Sequence, residues 1–443
     1  MENELFEKAP VPKAYFSLAL PVVMGMVVSL VYNMVDTYFI AQVGNTDLIA
    51  GVSLSAPVFT ALMALGNIFG LGGSSVISRL FGKKNDEDGK RLSAFCFYGA
   101  LLCGVAVAAV LLLLRGPVLG LLGAGEGTYP YAQQYYTYIV LGAPFIILSF
   151  VPTNLLRTEG FAKASMVGSI LGSVVNMVLD PIFISALGLG AAGAAIATVL
   201  GYVVTDVFFV WYLLRKSRRL SVSPVGIRIS GEELGSILAI GIPASVTNFM
   251  STLSATLTNR YLLPYGSDAV AAMGIVVKVN LIATLVLVGF AFGPQPLFGY
   301  NYGAGNRGRL KKAFGFAYGF ECLLAVALAA LLSLAARPLV GIFVSDPALI
   351  EMGIPMLRIL QAGMVFSAVV LVTTTVFQSA GKAWSALVLS VGRQGVIFVV
   401  VMVLLAKAMG YYGVLAAQPV ADLLTAALAL GLFYRGLWRE LRN

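Results

Sequence analysis

Twelve stretches of this chain are each apolar for about as long as a helix needs to cross a bilayer, and no other property limits the fold so tightly. A hydrocarbon core about 30 Å thick takes about 20 residues of helix. Windows of that size fall at residues 15–41, 49–78, 93–114, 131–155, 165–186, 191–214, 236–263, 268–298, 313–335, 354–379, 385–408 and 413–435. In lipid each backbone N–H and C=O must find its partner within a helix or a closed barrel, so runs of this length predict helices. The expected fold class is therefore an all-α integral membrane protein with twelve transmembrane helices. The first run is too long for the apolar part of a cleavable signal and follows an acidic Met1-Glu2-Asn3-Glu4 start, so it reads as a retained helix.

The placement of charge gives direction to these spans. Of the 29 lysines and arginines, 22 sit at the N-terminus, in every second loop and at the C-terminus, and the opposite loops hold only Arg115, Arg337 and Lys407. Such a bias predicts that both termini are cytoplasmic. Trp211, Trp384 and Trp438 all fall at helix ends on that side, as interfacial anchors do. The net charge of +9 is thus a topology signal; no nucleic-acid partner is expected, because no compact basic module is present. The chain has no histidine, which excludes imidazole acid–base chemistry, histidine metal ligation and a Ser-His-Asp triad. Cys96, Cys103 and Cys322 lie inside apolar runs, so neither a disulfide framework nor a thiolate metal site is predicted. No catalytic residue and no cofactor is expected, and proton chemistry must run on carboxylates.

The chain also repeats itself. Pro21, Gly44, Gly72, Gly82 and Asn85 recur as Pro243, Gly266, Gly293, Gly303 and Asn306; Pro117, Gly142, Gly160, Gly190 and Gly193 recur as Pro338, Gly363, Gly381, Gly410 and Gly413, all at spacings of 220 to 222. Each copy holds six helices, an even number, so both start on the same side and the repeat is parallel. Two six-helix lobes are expected, residues 1–214 and 236–443, joined by a polar linker at 215–235. Two such bundles around a central cleft suit a carrier that opens alternately to either face.

An acid at mid-membrane costs about 2.5–3.5 kcal/mol on insertion scales, so each one asks for a reason. The first half buries Asp36, Asp180 and Asp206 with no lysine or arginine inside its spans; the second buries Glu321 and Asp422 along with Arg260, Lys278 and Arg393. Lys278 and Arg393 read as partners of Glu321 or Asp422, and Asp206 reads as reaching toward the Arg215–Arg219 cluster. The first half cannot neutralise itself, which calls for a proton, a cation or a cationic substrate. Tyr32 and Asp36 are four apart on helix 1, and Asn176 and Asp180 four apart on helix 5, so each pair shares a face. Pro181 leaves the Met177 carbonyl without its helical donor. These groups, with Thr198 on helix 6, offer hard oxygens suited to a sodium ion or a proton. Asp36 also has a plainer reading as a helix-end cap, and Asn176 as interhelical glue. Pro21 gives helix 1 a place to bend.

Along nearly its whole length the chain resembles the multidrug and toxic compound extrusion (MATE) family. The resemblance is carried by Pro21 with Tyr32-Asn33-Met34-Val35-Asp36-Thr37, by Gly293-Pro294-Gln295-Pro296, and by Tyr300-Asn301-Tyr302-Gly303-Ala304 before a basic loop. It implies multidrug efflux of amphipathic, often cationic small molecules from a prokaryotic cytoplasmic (inner) membrane, by antiport with H+ or Na+ and by alternating access. The DinF-like branch is the better match: it places the coupling site at Asp36, Asn176, Asp180 and Thr198, where Na+ is the possible metal, and the bending proline at Pro21. Tyr32, Asn154 and Tyr202 are expected to face substrate. Membrane lipid is the other expected partner, and the chain is expected to work as a monomer. The alternative is a flippase for lipid-linked precursors from the same wider superfamily, against which the twelve spans and the acid-rich first half argue.

Overall fold

The computed structural model describes residues 2–442, and no strand occurs among them. Met1, the first residue of the acidic start, lies outside the described residues. Among the described residues ten helices have the length and apolarity to cross a membrane, and two bent helix pairs bring the spans to the expected twelve. The chain is a multi-pass membrane protein.

In the first half the spans are α1 (Val11–Gln42), α2 (Thr46–Gly82), α3 (Asp86–Leu113), α4 (Tyr129–Leu141 with Ala143–Thr158), α5 (Ala162–Ala186) and α6 (Gly190–Lys216). The second half repeats the plan as α7 (Gly231–Tyr265), α8 (Ser267–Gly303), α9 (Arg307–Leu334), α10 (Pro347–Gln361 with Met364–Ser379), α11 (Ala383–Met409) and α12 (Tyr411–Leu441). Most helices outrun their apolar windows because capped polar ends extend them. The side chain of Asn85 accepts the Asp88 N–H at the start of α3, and its repeat mate Asn306 accepts the Arg309 N–H at the start of α9.

The repeated glycines explain themselves in place. α4 bends by 51° at Gly142 and α10 by 44° at Gly363. A Cβ on Gly142 would lie 2.2 Å from the Val199 side chain on α6, and one on Gly363 would lie 2.8 Å from the Pro419 backbone on α12. Each bend therefore tucks against the last helix of its own half. Gly190, the first residue of α6, and Gly410, just before α12, hold φ of +52° and +57°, a region most side chains avoid.

Two compact units emerge, and their division differs from the expected lobes. One unit is Met24–Gly241; the other combines Asn3–Val23 with the chain from Ile242 onward. The chain thus passes between units inside α1, just beyond Pro21, and inside α7, just before Pro243. The physical reason is backbone-close packing. In the first unit a Cβ on Gly72 of α2 would come within 2.3 Å of the Ile237 carbonyl oxygen on α7. In the second, a Cβ on Gly293 of α8 would come within 2.5 Å of the Ala19 Cα on α1. Gly72 and Gly293 are repeat mates, and each seats the leading half of one long helix. The linker is held to the first unit as well. The Glu159 carboxylate accepts the backbone N–H groups of Arg218 and Arg219, Arg219 pairs with Asp86, and Tyr98 donates to the Val222 carbonyl.

Candidate functional site

The site is built where α5 and α6 cross without side chains between them. A Cβ on Gly201 of α6 would lie 2.7 Å from the Gly172 carbonyl oxygen on α5, so the backbones meet there. One turn further along α5, this brings Asn176 onto Thr198. The α-helical part of α5 stops at Asp180 because Pro181 has no N–H for the Met177 carbonyl, and a π-turn follows over Pro181–Ala186. Asp180 therefore sits at the helix break, fully buried, with Asn176 and Thr198 at 2% and 3% exposure.

The Asn176 amide is oriented by its neighbours. The orientation that satisfies both ends has its nitrogen donating to Asp180 Oδ2 at 3.0 Å and its oxygen accepting the Thr198 N–H at 2.9 Å. The Thr198 hydroxyl donates to the Ala194 carbonyl at 3.0 Å. From α1 comes Asp36, half-buried, whose carboxyl interacts directly with that of Asp180. Asp36 Oδ1 and Asp180 Oδ1 are both shielded from solvent and have no hydrogen-bond partner among the described residues. None of the ion pairs among the described residues involves Asp36, Asp180 or Asp206. Tyr32 stands one turn before Asp36 beside Thr198, with Tyr202 and Tyr135 close by.

Six of the eight residues marked in the sequence thus converge: Tyr32, Asp36, Asn176, Asp180, Thr198 and Tyr202. Pro21 lies further back in α1, in the share of that helix that belongs to the second unit. Asn154 is engaged in a different contact. Its amide donates to the Phe150 carbonyl and accepts from Arg157, and it presses on Gly70 of α2. Tyr135 joins the six without a signal in the sequence. It belongs to a tyrosine-rich start of α4 (Tyr129-Pro130-Tyr131-Ala132-Gln133-Gln134-Tyr135-Tyr136) that reads as an interfacial belt, and only the fold shows which ring turns inward.

Two buried-charge contacts differ from those expected. Asp206 does not reach the Arg215–Arg219 cluster: it is buried against α4, where its carboxylate accepts from the Ser149 hydroxyl at 2.5 Å, while Arg219 turns to Asp86 and the Phe81 ring. Lys278 is exposed and partners neither acid of the second half. Arg393 does meet Asp422, at 2.9 Å, and the pair is closed by Ser367 and Gln418. In the second unit that acid is cancelled by a fixed cation, as the pair in the first unit is not.

A duplicated six-helix membrane protein that buries uncancelled carboxyl groups has the build of a secondary carrier. The MatE family profile matches residues 21–182 and again 243–404, once in each half. The multidrug export protein MepA of Staphylococcus aureus is 32% identical over 432 residues, spanning 97% of this chain and 95% of that one. The MepA of Staphylococcus saprophyticus is 30% identical over 429 residues, spanning 97% of this chain and 95% of its own. Among solved structures, a MATE protein in complex with MaD3S superposes with a TM-score of 0.93 at 27% identity, covering 100% of this chain and 99% of that one. A MOP superfamily transporter from Pyrococcus furiosus gives 0.92 at 26% identity, covering 100% of this chain and 99% of its own. The chain belongs to the MATE family of transporters.

Proposed function

We propose that the chain exports amphipathic, often cationic small molecules from the cytoplasm of a prokaryotic cell by antiport with protons, using alternating access. One observation carries this reading: Asp36 and Asp180 face each other with shielded, unpartnered oxygens and no paired lysine or arginine. Two bare carboxylates in such a place repel, and a mobile positive species has to complete them. The donor set favours a proton over sodium. A hard cation collects several oxygens, whereas in the amide orientation that satisfies its protein neighbours Asn176 offers Asp180 its NH2 and not its oxygen.

In the outward-open state a proton enters the first unit and binds between Asp36 and Asp180. One proton halves the charge of the pair and ends the repulsion between its members, which weakens the hold on a cationic ligand, and α1 bends at Pro21 as the two carboxyl groups come to share that proton. The loaded state turns inward, releases the proton and takes up substrate again. Both termini lie in the cytoplasm of the inner membrane, and one chain suffices for the cycle. The test is dye efflux from cells carrying Asp36→Asn: export should fall to the level of cells without the protein while the variant stays at normal abundance in the membrane. Full export by a well-expressed variant removes the mechanism.

A further inference from the structure

The second unit holds a carboxyl group that the export cycle above does not use. Glu321, midway along α9, is fully buried, and unlike Asp422 it has no arginine. Its Oε1 lies 3.3 Å from the Tyr15 hydroxyl on α1, and Oε2 is shielded with no partner among the described residues. Tyr15 has a better acceptor, the Phe290 carbonyl, at 2.8 Å. That carbonyl needs an outside donor, because the residue four further on is Pro294, which has no N–H, and α8 is interrupted there between Phe292 and Gln295.

Counting hydrogens then decides the state of the acid. A tyrosine hydroxyl carries one hydrogen, and the shorter bond to Phe290 claims it. With that hydrogen on Phe290, the contact between Tyr15 and Glu321 becomes a full hydrogen bond when the carboxyl supplies the hydrogen. We propose that Glu321 is a second proton-binding site of the chain, separate from the Asp36–Asp180 pair, with its acid hydrogen donated to the Tyr15 oxygen.

None of the ion pairs among the described residues involves Glu321. Phe16, Phe290, Phe316 and Phe320 pack around the two side chains with ring centroids 4.9 to 6.1 Å apart. On α9 itself, Tyr318 shares its hydroxyl with Thr373, and Cys322 is a neutral neighbour. Facing elements spend their charges elsewhere. On α8, Lys278 is exposed and Tyr300 donates to Glu7. On α10, Glu351 pairs with Arg337, and Arg358 donates to the Ser333 carbonyl. Asp268 lies at the opposite end of α8 from the break, and the Met364–Ser379 half of α10 has no charged residue.

When the proton leaves for water, the carboxylate takes the Tyr15 hydrogen by rotation of one C–O bond, and Phe290 loses its donor. No other bond changes. The leading half of α1 is then held less firmly to the break in α8, and α1 is the helix that also carries Asp36.

Infrared difference spectra of the full-length protein in lipid nanodiscs test this. Wild type should show a protonated-carboxyl band that is lost in Glu321→Gln, kept in the Asp36→Asn/Asp180→Asn double variant, and shifted to higher frequency in Tyr15→Phe, where the acid has lost its acceptor. Spectra unchanged by Glu321→Gln, or a band that Tyr15→Phe leaves in place, overturn the proposal. Should Glu321→Gln fail to fold, the Tyr15→Phe result decides. The double variant keeps this outcome distinct from failure of the export reading.

Discussion

Buried carboxyl groups in this protein fall into two kinds, and substitution should separate them. Asp422 is cancelled in place: Arg393 bonds it, Ser367 bonds both, and Gln418 takes the remaining position. Removing one member of such a buried pair typically costs about 3–5 kcal/mol. Arg393→Ala should therefore lower the melting temperature of the purified protein, and replacing Asp422 as well by an apolar residue should restore most of the loss. Asp180→Asn should do the reverse, leaving thermal stability equal or higher because a repulsion is removed, while export is lost. A melting curve and an efflux assay on the same preparations check both. Asp36 and Asp180 were legible as acids without a fixed partner because spacing and the absence of a neighbouring cation are properties of sequence. Tyr135 and the bond between Asp206 and Ser149 were not. A helix that is apolar all round has no polar stripe to show which side faces its neighbours, so the inward face of α4 is set only by packing.

At the scale of elements, the long helices α1 and α7 tie each half of the sequence to the unit built mainly from the other. Gly72 and Gly293 make those contacts possible. Gly72→Val and Gly293→Val each force side-chain atoms into a neighbouring backbone, and overpacking of this kind costs about 1–3 kcal/mol. Both variants should show reduced yield and a lower unfolding temperature by size-exclusion profile after heating, whereas Gly120→Val, where a Cβ meets nothing within 4 Å, should behave as wild type. Pro21→Ala returns an N–H to the Ser17 carbonyl and stiffens α1 at the point where it passes between units. Its expected effect is a several-fold slower initial rate of dye export at unchanged stability. The exchange of helix halves was hidden in the sequence because both halves of α1 are equally apolar, and the polar linker at 215–235 drew the boundary to itself. The duplicated glycines were the signal, visible as a repeat before their partners were known.

For the whole molecule, duplication supplies two bundles of one plan and charge makes them unequal. Membrane insertion penalises each buried acid, so an acid without a fixed partner persists where a travelling charge completes it. The basic loops predict orientation: a reporter fused to either terminus should be active on the cytoplasmic side only. The most direct measurement uses proteoliposomes holding the purified protein and a cationic dye, with a pH gradient and a sodium gradient imposed one at a time. Uphill dye movement against a pH gradient without sodium, absent in Asp36→Asn, is the predicted result. Movement driven by sodium at equal pH, or proton-driven movement that survives Asp36→Asn, would contradict it.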